Sequence, residues 1–184
     1  LTDPVRVQVA PPGKVADKIT QSLHYVDKGE KAGHLKTLLA EHRGEKAIVF
    51  TRTKHGAERL MKSLDGAGFK AGSIHGNKSQ SQRDRALAAF KAGQLNVLVA
   101  TDVAARGINI PLVKVVYNFD LPNVPENYVP RIGRTARAGN DGCAIAFCGQ
   151  DEMKELRQIE KLLGFAVPVE GGNVGLGPKD APDG

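Results

Sequence analysis

The sequence predicts an α/β fold in three layers, a mostly parallel central sheet flanked by helices. Two patterns carry that expectation. Short apolar runs recur, such as Ala47-Ile48-Val49-Phe50 and Val97-Leu98-Val99-Ala100, and between them apolar residues fall at helical spacing, as at Ala57, Leu60, Met61 and Leu64. Short apolar strands alternating with amphipathic helices imply parallel strands covered on both faces. The 184 residues, 41% of them apolar, suffice for a single core and about one domain.

Taken in order, residues 1–17 are rich in Val, Pro and charge without helical periodicity, and Pro11-Pro12-Gly13 marks a turn, so this stretch is expected to be a linker from something upstream. A strand is expected near 22–26, a helix near 33–42, a strand at 47–51, a helix at 54–67 and a strand at 70–74. A helix follows at 80–92, opening on a capping arrangement after Ser79, with Leu87, Phe90 and Leu95 closing the unit. Strands at 96–100 and 113–118, a short helix at 125–131, a strand at 143–147 and a helix at 150–163 complete a domain spanning 18–170. Residues 171–184 have Gly or Pro at nearly every other position, cannot offset their ordering entropy by burial, and are expected to be disordered.

The net charge of +6 favours a polyanionic partner without naming one. Cys143 and Cys148 lie five apart in one apolar run, so a strand would point them to opposite faces as unbridged core thiols. Five scattered histidines and these two cysteines offer no metal-ligand spacing, so no metal is expected on this chain alone. No apolar run approaches the roughly 18 residues of a membrane span. A soluble, cytoplasmic protein is the expectation.

Polar residues cluster where the apolar runs end: Thr51-Arg52, His75-Gly76 and Thr101-Asp102 each follow an expected strand. Ligands of open parallel sheets gather at the carboxyl ends of strands. After the strand and short helix that follow comes Arg131-Ile132-Gly133-Arg134-Thr135-Ala136-Arg137-Ala138-Gly139, three arginines at three-residue intervals. Guanidinium forks match phosphate oxygens, and Gly133 and Gly139 are expected to permit turns that a side chain would obstruct. His75 has no nearby carboxylate or nucleophile in sequence and is expected to be structural.

That last segment resembles motif VI of the DEAD-box RNA helicases. Three other blocks stand in the family's order: Ile48-Val49-Phe50-Thr51-Arg52-Thr53-Lys54 resembles motif IV, Gln80-Ser81-Gln82-Arg83 motif IVa, and the run from Ala100 through Thr101, Asp102, Arg106 and Gly107 to Asn109 motif V. Within the family the chain looks most like bacterial RhlE-type members. The resemblance implies the second of two RecA-like domains, with RNA bound across both and ATP with magnesium in the cleft between them, held mainly by the first. No G-x-x-x-x-G-K-[ST] loop and no Asp-Glu-Ala-Asp run occurs in the 184 residues, so this chain alone is expected to be inactive.

By the same resemblance Arg134 and Arg137 would reach the ATP phosphates as arginine fingers, and Asn109 would meet the ribose. Arg52, Gly76, Gln80, Arg83 and Thr101 would contact the RNA backbone, largely without regard to base sequence. Arg106, Pro130 and Arg131 would couple the two domains. With three Tyr, six Phe and no Trp, base stacking is a poor candidate. A monomer is expected, its partners RNA and the upstream domain.

Two positions depart from the family. Asn109 replaces an Asp, a charged acceptor exchanged for a neutral one at a cost of about 1 kcal/mol in nucleotide affinity. Pro130 replaces a His, removes a polar contact, and lacks the amide that would bond back to Glu126. The short helix begun at 125 is therefore expected to kink or end early. The alternative these departures suggest is a non-catalytic RNA-binding module or half of an uncoupled helicase.

Overall fold

Every residue of β3 (Ala47–Phe50) and β5 (Val97–Ala100) is buried, the signature of strands covered on both faces. The computed structural model describes residues 5–9, 17–135 and 141–172. The remaining elements are β1 (Val5–Val9), β2 (Asp17–Tyr25), α1 (Lys31–Glu41), α2 (Lys54–Gly66), β4 (Ala71–Ile74), α3 (Gln80–Lys91), α4 (Asp102–Ala105), β6 (Val115–Asn118), α5 (Tyr128–Ile132), β7 (Asp141–Cys148), α6 (Met153–Leu163) and β8 (Val169–Gly172). The sheet order is β1-β2-β7-β6-β3-β5-β4, with β8 also pairing β2. All pairs are parallel except β1 with β2.

Alternation along the strands sends side chains to two faces. Val49, Val99, Tyr117 and Phe147 meet α1 and α2 through Leu35, Leu39, Ala57, Leu60 and Leu64. On the opposite face Ile48, Phe50 and Leu98 meet Phe90 of α3 and Ala104 of α4, while Ile19, Leu23 and Ala144 meet Tyr128, Ile132, Leu156 and Ile159 of α5 and α6. Each fully buried Leu, Ile or Phe stabilises by about 1.5–3 kcal/mol. Cys143 packs on the first face and Cys148 on the second, as their odd spacing on one strand requires.

The predicted sheet and helices are present, with differences at the edges. Residues 5–9, expected within a linker, form β1, which pairs antiparallel with 17–21 of β2. β2 starts at Asp17 rather than near 22, because it pairs with β7 along its length from Lys18 to Tyr25. β8 was not foreseen and takes Gly171 and Gly172 out of the expected tail; its anchor is pairing with 23–25 of β2, a partner distant in sequence. Residues 173–184 lie outside the described residues. α3 opens on a full capping box, Gln82 N donating to Ser79 Oγ at 3.1 Å and Ser79 N to Gln82 Oε1 at 2.8 Å.

The helix expected at 125–131 is two pieces, a 3₁₀ turn at Pro125–Asn127 and then α5. The switch falls before Pro130, which sits in the first turn of α5, where a missing amide is tolerated, and α5 runs on to Ile132. Pro130 therefore does not end the helix. Gly133 also differs from expectation: its φ of −67° is helical and demands no glycine, and Gly139 lies outside the described residues. The left-handed position in this region is Gly107, at φ +78°, which turns the chain after α4.

Candidate functional site

The strand ends bring β3, β4, β5 and β6 to one edge, and the motif residues follow them. Thr101 closes β5 and stands at the N-cap of α4, yet its hydroxyl makes no capping bond. Asp102 begins α4 and is engaged from α5: Arg131 donates Nε to Asp102 Oδ1 at 2.7 Å and Nη2 to Oδ2 at 2.8 Å. Arg131 Nη1 also donates to Asn118 Oδ1 at 3.0 Å and to the Asp120 carbonyl at 2.6 Å, and the guanidinium lies 5.2 Å over the Phe50 ring. Arg131 is 2% exposed.

Within this domain the Arg131 side chain is an internal brace between α5, Asp102 of α4 and the end of β6. Asp102 pairs with Arg131 rather than with Arg106, which is exposed at the end of α4.

Arg134 donates Nη1 to the Ile108 carbonyl at 3.0 Å and Nη2 to the Ala105 carbonyl at 2.8 Å, gripping the turn around Gly107. Burial lowers its pKa from the ordinary value, although a guanidinium remains charged. Thr135 Oγ1 donates to the Val113 carbonyl at 2.6 Å, and Val113 N to the Arg134 carbonyl at 3.0 Å. Motifs V and VI thus form one hydrogen-bonded body. Between them lies a cavity of about 150 Å³, lined among others by Asp102, Arg106, Gly107, Pro130, Arg131 and Arg134. With Asp102 neutralised by Arg131, the cations left facing this cavity, Arg106 and Arg134, suit a phosphate group. Asn109 is exposed on the same turn but does not line the cavity, and Arg137 lies outside the described residues.

The residues expected to meet RNA spread along the same edge. Arg52 donates its backbone N–H to Asp120 Oδ2 at 3.0 Å and Nη2 to the Leu121 carbonyl at 3.2 Å. Gly76 is exposed in the loop between β4 and α3. Gln80 receives Arg83 Nη2 at 3.2 Å and donates to Asp84 at 2.9 Å, so the two motif IVa side chains orient each other at the start of α3. Arg83 Nε is shielded and has no acceptor among the described residues.

Sequence reasoning missed Glu58, which no motif marks. From α2 it accepts Ser73 Oγ at 3.0 Å, His75 Nε2 at 2.8 Å and Lys78 Nζ at 3.1 Å. Asn77 N donates to His75 Nδ1 at 3.2 Å, which places the imidazole proton on Nε2. His75 is thus held by a carboxylate that its sequence neighbourhood does not contain, and Glu58 ties the Gly76 loop to α2. The bond from His75, with Lys78 and Ser73, holds the Glu58 carboxyl down to about 2 from 4.5. A depressed folded-state pKa gives stability that is complete above the ordinary value and lost as pH falls toward the folded one. Urea unfolding between pH 5 and pH 2.5 is expected to show a smaller loss of stability for Glu58→Gln than for the parent chain. Parallel losses would remove Glu58 from the acid transition.

Among the described residues no group of three or more His, Cys, Asp and Glu could hold a metal, and no helix is long and apolar enough to cross a membrane. Compared with known proteins, residues 30–139 match the family described as the helicase conserved C-terminal domain. The chain is 45% identical over 169 residues to the ATP-dependent RNA helicase RhlB of Shewanella baltica (strain OS155), a match covering 92% of this chain and 39% of that protein. The finer RhlE-type resemblance gains no support from this RhlB relative.

The fold is similar to the DEAD box protein from the hyperthermophile Methanococcus jannaschii, with 40% identity, a TM-score of 0.78, and coverage of 83% of this chain and 42% of that one. It is also similar to the C-terminal domain of the DEAD-box protein Dbp5, with 34% identity, a TM-score of 0.73, and coverage of 90% and 93%.

Proposed function

The chain belongs to the helicase conserved C-terminal domain family, as the second RecA-like domain of a DEAD-box RNA helicase, and from this premise we propose that it completes an ATP-dependent RNA-unwinding engine in a longer protein. It spans only 39% of the length of its RhlB relative. Arg134 and Arg137 supply charge to the phosphates of ATP, and Asn109 meets the ribose. When bound, ATP with magnesium supplies the phosphoryl group and its metal. What this chain's residues do is place fixed cations where charge develops, without reorganisation at the moment of reaction.

Arg52, Gly76, Gln80, Arg83 and Thr101 hold the RNA backbone, through amides, a hydroxyl and cations that carry no base sequence information. Arg106 and Pro130 lie exposed at the cavity rim, where the upstream domain closes. Arg131 holds α4 in register for that closure. The observation that carries the reading is the interlock of motifs V and VI through Arg131–Asp102 and Arg134–Ala105, on the strand-end edge that also presents Arg52 and Gly76, with Thr101 buried at the start of α4. A change at the RNA-contacting Thr101 is thereby one residue from the brace that positions Arg134's neighbourhood. A cytoplasmic, monomeric protein that acts on RNA without sequence preference is part of the same proposal.

The uncoupled-helicase reading keeps one support. Pro130 leaves α5 intact but puts no polar side chain at the rim. The experiment is phosphate release from ATP by the full-length protein, with and without single-stranded RNA, beside Pro130→His. RNA-stimulated release by the parent protein, changed by less than about threefold in Pro130→His, is the expected result, because the fold around Pro130 carries no defect for histidine to repair. Release that depends on histidine would move the assignment to an uncoupled, RNA-binding half.

A further inference from the structure

A second and larger cavity, about 500 Å³, opens on the α1 and α2 face and shares no lining residue with the one between motifs V and VI. Its size is within the range of roughly 300–1,000 Å³ typical of ligand sites. Arg52 of motif IV lines it, as do Phe119, directly after β6, Leu60 and Arg59 on α2, Lys28 before α1, and Asp151. It therefore opens at the strand-end edge that carries the other motif residues.

The charges at its base are spent. Lys31 Nζ donates to Glu152 Oε1 at 2.6 Å and to Asp120 Oδ1 at 3.1 Å, and both acids also accept backbone amides, from Leu121 and Gly149 to Glu152 and from Arg52 to Asp120. The rim differs. Lys28 and Arg59, from different elements, are both exposed, and neither side chain has a hydrogen bond or ion pair to any described residue; Asp151 is an exposed acid of the same lining. Phe119 is half-buried, with Lys31 Nζ 5.6 Å from its ring centroid, and with Leu60 it offers an apolar wall.

Two unpaired cations in one cavity with an aromatic and an aliphatic side chain and a motif IV arginine match the pattern by which single-stranded nucleic acid is held: cations for phosphates, a ring for a base. We propose that this cavity is a flanking-nucleotide subsite, which takes the RNA residue next to the one contacted by Arg52, with its base against Phe119 and its phosphates between Lys28 and Arg59. The proposal rests on the RNA-binding reading above and extends the RNA track beyond the family motifs. It differs from the expectation that base stacking is a poor candidate.

The test measures binding of the full-length protein to single-stranded RNAs of about 6 and about 12 nucleotides by fluorescence anisotropy across a salt series. The double variant Lys28→Ala, Arg59→Ala changes only exposed side chains. It is expected to weaken the longer strand about 10-fold, leave the shorter unchanged, and flatten the salt slope for the longer by about 1.4, two contacts at roughly 0.7 each. Phe119→Leu is expected to abolish the quenching of a 2-aminopurine placed at the flanking position. Equal effects on both strands, or none, overturn the subsite while leaving RNA binding in place. Failure of the parent protein to bind either strand overturns the RNA reading itself. Unchanged RNA binding with loss of docking to the upstream half would assign the cavity to a protein contact and equally overturn the proposal.

Discussion

Replacing Arg134 by alanine in the full-length protein is expected to lower RNA-stimulated ATP turnover by about 10³-fold or more, the range in which arginine fingers act. In the structure Arg134 already holds the Ala105 and Ile108 carbonyls. A guanidinium has five N–H donors, and those two bonds leave others for phosphate oxygens. One side chain can therefore grip the motif V turn and meet the nucleotide together. Arg134→Lys keeps a charge but not the fork, so it is expected to recover little turnover. RNA affinity measured without ATP is expected to stay within about twofold for both variants, since no RNA-contacting residue is altered. A loss of turnover below about tenfold would leave Arg134 as a brace only and pass the catalytic role to Arg137.

Arg131→Met is expected to destabilise the domain by about 3–5 kcal/mol, because it removes a buried guanidinium with four bonds and strands its partly buried partner Asp102. Asp102 would lose both of its guanidinium bonds, and Asn118 Oδ1 and the Asp120 carbonyl one each, in surroundings where unmet acceptors are costly. For a chain of this size that corresponds to a fall in Tm of roughly 6–20 °C. The double variant Arg131→Met, Asp102→Leu is expected to regain much of the loss, since an apolar pair of similar volume avoids the buried charge. Thermal unfolding followed by circular dichroism checks both. A fall in Tm of only a degree or two for Arg131→Met would mean that the brace contributes nothing net and that its role lies in closure with the upstream domain.

Legibility from the sequence tracked how local each determinant is. The strands at 47–50 and 97–100 were readable because burial on both faces leaves an unbroken apolar run, and α3 because Ser79 and Gln82 complete their cap within one turn. β1 and β8 were not, since each is held by pairing with β2, a partner that neither segment carries in its own residues. Pro130 was expected to break a helix, and the chain resolved the conflict by starting α5 just before it.

The same division runs through the candidate site. By itself the sequence determined the α/β class, the order of the motifs and the chemistry they bring, arginines, a threonine and glycines at strand ends, because these are properties of residue type and short spacing. Only the tertiary structure decided that Arg131 turns inward to Asp102, that Arg134 grips the Gly107 turn, that Glu58 holds His75 from 17 residues away, and that Lys28 and Arg59 line one cavity without an ion pair. Hydrogen-bond and charge partners are chosen by the sheet order that brings distant strand ends together, and no local pattern encodes that choice.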